Sequence, residues 1–146
     1  MRYAVRAVTE EQGRLLMIHS TTDGDYKFPG GGVQRGENQA IALARELREE
    51  AGRSPSRITA LLGITIELDI APEHIRGNFR MVSFYYLCEL DPGIHPQSLD
   101  RYEKTLGFTP AWVTPKEALD NNVCLYQRAD SHGPFWLARE IASCVS

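Results

Sequence analysis

The stretch from Gly30 to Gly52, GGGVQRGENQAIALARELREEAG, constrains this chain more than any other part of it. Three glycines in a row read as a tight turn, and Gly36 marks a second one. A helix then runs from about Asn38 to Ala51. At about 100° per residue, Ala40, Ile41, Ala44, Leu47 and Ala51 gather on one side. Glu46, Glu49 and Glu50 share an arc on the opposite side. The expectation is a helix that packs its apolar side on a sheet and turns its acidic side to a cleft, with Gly52 as the residue that ends it in a left-handed backbone. Three carboxylates at i, i+3 and i+4 repel one another. A cation over them removes that cost, and a hard divalent cation with oxygen ligands suits the donor type.

The rest of the chain supplies strands and helices around this segment. Tyr3–Val8 and Leu15–His19 read as strands about the turn Glu10–Gly13. Ser20–Asp25 is a polar turn, and Tyr26–Phe28 leads into the glycines. Ile58–Ile70 and Phe79–Leu90 read as long strands joined by a turn at Ala71–Gly77, the second apolar on nearly both alternations and therefore central. Asp91–Lys104 reads as a polar loop and Phe108–Val113 as a strand. Thr114, Pro115 and Glu117 hold N-cap, N1 and N3 of a short helix, and Pro134 opens a last one. Strands and helices in this order predict an α/β chain with a mixed sheet and helices on both sides.

Composition excludes several function classes. The 146 residues match one domain with one core, here residues 1–146. A net charge of −3 without a basic run argues against a nucleic-acid polymer as partner. No apolar stretch reaches the roughly 20 residues that cross a bilayer, and the N-terminus lacks the apolar core of a signal peptide. Cytoplasmic residence is the expectation. Cys88, Cys124 and Cys144 suit neither a disulfide framework nor a zinc site. The glycine run is followed by no G-K-[ST], so it is not a phosphate-binding loop of that type.

From Gly31 onward the segment reads G-x5-E-x7-R-E-L-x-E-E-x-G, and in this it resembles the Nudix box. The match covers Gly31, Glu37, Arg45, Glu46, Leu47, Glu49, Glu50 and Gly52, with Arg53 where the family prefers an aliphatic residue. The resemblance implies the Nudix fold, an α/β/α sandwich with a mixed sheet. It implies hydrolysis of a diphosphate bond in a nucleoside diphosphate linked to another group X. Glu46, Glu49, Glu50 and the Gly30 carbonyl would ligate Mg2+, with Mn2+ as a substitute, while Glu37 and Arg45 form the supporting pair. The general base comes from the box or from a distant loop, where Glu103 is the first candidate, ahead of Glu89 and Glu73. Tyr26 and Phe28 are candidates to stack on a base or to fill the core. A (deoxy)nucleoside triphosphate, as in MutT-like enzymes, is the default substrate because other subfamily signals are missing. The alternative is a non-catalytic nucleotide-binding or regulatory module, which the retained carboxylates oppose. A homodimer is compatible with either.

Overall fold

The computed structural model describes residues 2–69 and 79–128. Its elements are β1 (Arg2–Val8), β2 (Glu10–Glu11), β3 (Arg14–Ser20), β4 (Tyr26–Lys27), β5 (Gly30–Gly32), α1 (Gln39–Ala51), β6 (Pro55–Asp69), β7 (Phe79–Leu90), α2 (Arg101–Leu106), β8 (Phe108–Val113) and α3 (Pro115–Arg128). The expected turn at Ala71–Gly77, with Glu73, and the expected helix at Pro134 lie outside the described residues.

Two sheets form. The first runs β5-β1-β7-β6 and is mixed, because β1 pairs parallel with β7 while its other pairings are antiparallel. The second is antiparallel: β3 takes β8 along one edge, and β2 and β4 along the other. The tight turn of the first hairpin is Gln12–Gly13, both at positive φ, and it joins β2 to β3. Thus β1 and β3 are the expected strands, but they belong to different sheets.

Period-2 alternation sends each strand's side chains to two cores. From β3, Leu16 and Ile18 pack with Val5, Ala42, Leu43 and Leu47 on the α1 side. Leu15 and Met17 pack with Val8, Phe28, Tyr85 and Ala118 on the α3 side. Helices on both sides of sheet are the expected α/β/α layering, and β7 is interior as its apolar pattern predicts.

Four local expectations need correction. Gly30–Gly32 is a strand, β5, rather than a turn: it pairs with Ala4–Arg6 of β1. The Asp91–Lys104 loop ends early, because Asp100 and Glu103 form a capping box that starts α2. The helix at Pro115 has the predicted Thr114–Glu117 capping pair but runs for 14 residues. The largest correction concerns α1. It buries Ala42, Leu43, Glu46, Leu47, Glu50 and Ala51, while Ile41 is 58% exposed. The buried arc is centred near Leu43 and Glu50, so two of the acidic residues lie on the packed face rather than opposite to it. Apolar counting alone missed this rotation, since it assumed that carboxylates face water.

Candidate functional site

Local sequence sets the ends of α1. Asn38 caps the N-terminus, its side chain accepting the Ile41 N–H at 2.9 Å. Gly52 ends the helix at φ 66°, with its N–H on Arg48 O and the Arg53 N–H on Leu47 O. A Cβ on Gly52 would stand 1.9 Å from the His95 carbonyl oxygen. That contact belongs to a series. His95 N–H donates to Gly52 O, Ser98 N–H to Glu49 O, and the Gln97 amide to Glu50 O. The helix's free C-terminal carbonyls are thereby satisfied by the 91–100 segment. The same contacts hold the start of α2 close to the glutamates of α1.

Arg45 organises one end of the site. Its Nε and Nη2 grip Glu37 at 2.8 and 2.9 Å in a bidentate pair. Nη1 reaches Glu46 Oε1 at 2.9 Å and Glu49 Oε2 at 3.3 Å, and Nη2 also donates to Gly32 O. The guanidinium holds the Glu37 carboxyl down to about 2. Glu37 in turn accepts the Gln34 N–H, which ties the Gly36 turn to the helix.

Glu50 lies deeper. It is fully buried, and its Oε1 accepts the Gly30 N–H at 2.7 Å. Oε2 has Lys27 Nζ 3.0 Å away but no hydrogen bond of good geometry. The Lys27 ammonium also sits 4.2 Å from the centre of the Phe108 ring. The glycines of β5 make this packing possible. A Cβ on Gly30 would overlap Val5 O at 1.9 Å, and one on Gly31 would stand 2.6 Å from Glu46 Oε1.

Glu46, Glu50 and Glu103 converge, each offering one carboxylate oxygen, with these atoms within 4.8 Å of one another. Glu46 is raised above the usual carboxylate range, first by burial, with Arg45 opposing and Glu49 and Glu103 adding to it. Glu103 is raised too, first by burial and then by Glu50 and Asp100. The chemistry of the set therefore fits a hard divalent cation: all-oxygen, anionic, partly desolvated and short of neutralising charge. The adjoining cleft, of about 280 Å³, is lined by Glu46 and Glu103 together with Arg2, Arg6, Lys27 and Tyr102.

Most predicted positions meet here, with five qualifications. Glu49 is turned to Arg45 and stands outside the converging group. The Gly30 carbonyl accepts a hydrogen bond from Arg6 Nη1 at 3.1 Å. Phe28 is fully buried in the α3-side core, which corrects its candidacy for stacking on a ligand. Tyr26 is half-buried against His19 and is not among the cleft-lining residues. Glu89 is exposed on β7, away from this lining. Sequence reasoning missed Arg2, Arg6, Lys27 and Tyr102. Lys27 alone left a trace, as the polar alternate between Tyr26 and Phe28. The others reach the cleft only through strand pairing and the docking of α2.

Comparisons with known proteins bear on the fold and the family. An RNA pyrophosphohydrolase of Halorhodospira halophila is 41% identical over 58 residues, which is 40% of this chain and 32% of that protein. The aligned stretch thus spans about a third of that relative's length. A MutT-like protein of Streptomyces ambofaciens is 26% identical over 120 residues, 82% of this chain and 67% of that protein. Among solved structures, a NUDIX hydrolase from Nitrosomonas europaea superimposes with a TM-score of 0.71 at 20% identity, covering 99% of this chain and 88% of that one. A model of the NUDIX domain matches residues 1–136, a span that takes in every element and site residue described above, and the chain belongs to the NUDIX domain family.

Proposed function

We propose that this chain, acting as a single domain, is a Mg2+-dependent hydrolase. It would cleave a phosphoric anhydride in a nucleoside diphosphate linked to another group, with (deoxy)nucleoside triphosphates as the first substrates to try. One observation carries the reading: Glu46, Glu50 and Glu103 converge beside a cleft that Arg2, Arg6 and Lys27 also line. Carboxylates alone would repel a polyphosphate, and cations alone would bind it without activating water. The two together suit an anionic substrate that arrives with a metal ion.

Glu46 and Glu50, with Glu49 nearby, would hold Mg2+, and Mn2+ can substitute in such an oxygen site. When bound, the cation neutralises phosphate oxygens and acidifies water. Glu103 would accept the proton from an attacking water, and burial raises its pKa, which makes it a stronger base than a solvated carboxylate. Arg2, Arg6 and Lys27 can bind phosphate oxygens. Tyr102, 70% exposed and part of the cleft lining, offers a ring face for a base. Arg45 holds Glu46 and Glu49, and Glu37 holds Arg45.

A hydrolysis panel tests this. It covers nucleoside triphosphates, nucleotide sugars, dinucleoside polyphosphates and ADP-ribose with Mg2+, and uses Glu50→Gln protein as the blank. The expected result is release of a nucleoside monophosphate from at least one class, abolished by EDTA. No turnover of any compound, or turnover that EDTA leaves intact, would sink the proposal.

A further inference from the structure

β6 ends its sheet, and its only strand neighbour among the described residues is β7. Edge strands of this length usually carry charges or prolines that discourage pairing with another chain. Residues 58–66, ITALLGITI, carry neither. Leu61, Leu62, Ile64 and Ile66 are 49–65% exposed. Three register shifts against β7 leave Ser56, Thr59 and Leu62 as extra residues, so Leu62 faces no residue across the strand pair.

We propose that a second copy of this chain docks on β6, edge to edge and antiparallel, about a twofold axis at Leu62. The strand's own order selects this partner. From Arg57 to Glu67 the sequence reads RITALLGITIE, which nearly mirrors itself around Leu62. Antiparallel pairing about that centre sets Ile58 opposite Ile66 and Thr59 opposite Thr65. It also sets Arg57 opposite Glu67, twice, once on each side of the axis. A twofold interface needs such self-complementarity, since each patch must fit a copy of itself. Opposite charges and β-branched residues facing one another across strands stabilise that register. Neither Arg57 nor Glu67 has an ion pair among the described residues, so both charges are available to a partner.

Sedimentation velocity of the full chain over a concentration series tests the interface. The expected result is a reversible dimer that Leu62→Lys converts to monomer, because two lysines meet on the axis. Leu62 is half exposed, so circular dichroism of L62K should match the parent. Arg57→Glu and Glu67→Arg should each weaken the dimer about ten-fold through like-charge pairs. An equimolar mixture of R57E and E67R should form heterodimers in preference to either homodimer, since both charge pairs are then restored. A chain that stays monomeric throughout overturns the proposal. A dimer that survives L62K, or a mixture without heterodimer preference, overturns it as well.

Discussion

α1 and β6 depart from the usual partition of side chains in opposite directions. On α1, Glu50 is fully buried and Glu46 nearly so, while Ile41 faces outward. On β6, Leu62, Ile64 and Ile66 face outward, with no partner to cover them among the described residues. Each departure costs stability in isolation, since a buried charge needs a counter-charge and an exposed apolar strand invites association. The α1 cost is met inside the chain. Gly30, Lys27 and Arg45 supply donors and charge, and a bound cation would supply the rest. Nothing among the described residues meets the β6 cost. An inverted residue that is densely partnered thus points to a site within the molecule, and an inverted residue without partners points to something outside it.

Substitutions at the two regions should therefore behave differently. The largest effect is expected from Glu50→Gln, which keeps the shape and the Gly30 N–H bond but removes the charge. Turnover should fall by about a thousand-fold or more with an unchanged circular dichroism spectrum. Retention of even a tenth of the activity would show that the buried charge serves structure alone. Next comes Gly52→Ala, where the left-handed backbone and the His95 carbonyl both oppose a methyl group. A loss of roughly 2–3 kcal/mol in urea unfolding is expected. A loss below about 0.5 kcal/mol would mean that the 91–100 segment is not clamped to α1.

A smaller, pH-dependent effect belongs to Glu37. Its folded pKa of about 2 lies below the ordinary 4.5, so Arg45 stabilises the fold through the ionised form. That contribution is complete above about pH 4.5 and is lost as pH falls toward 2. Glu37→Gln should flatten this part of the stability–pH curve, and parallel curves for the two proteins would contradict the assignment. The smallest effect is expected from Ile66→Thr on β6. Monomer stability should change by less than about 0.5 kcal/mol, because Ile66 is 65% exposed. A larger loss, read in dilute urea titrations, would show that β6 is covered within the chain.

Much of the site was legible because it is local. The box residues lie within one helix and the turns before it, where spacing along the chain translates directly into spacing in space. Gly52 and the Thr114–Glu117 pair were readable for the same reason: a cap is a contact between near neighbours. The rotation of α1 was not readable, because which face packs depends on what it packs against. A carboxylate counts as polar until a glycine strand donates an N–H to it and a lysine stands beside it. Glu103 was a residue of a polar loop until the C-terminal carbonyls of α1 drew that loop in.

By itself the sequence determined most element types, though not β5 or α2, together with the family resemblance and the acidic residues that cluster on α1, since periodicity, caps and fixed spacing are properties of a short stretch of backbone. The tertiary structure decided which carboxylates meet, and that Phe28 is core while Lys27 lines the cleft. It also decided that Arg2 and Arg6 join them and that β6 is left at an edge. Those outcomes depend on strand order and helix docking between residues far apart in the chain, and no local pattern encodes a distance across a sheet.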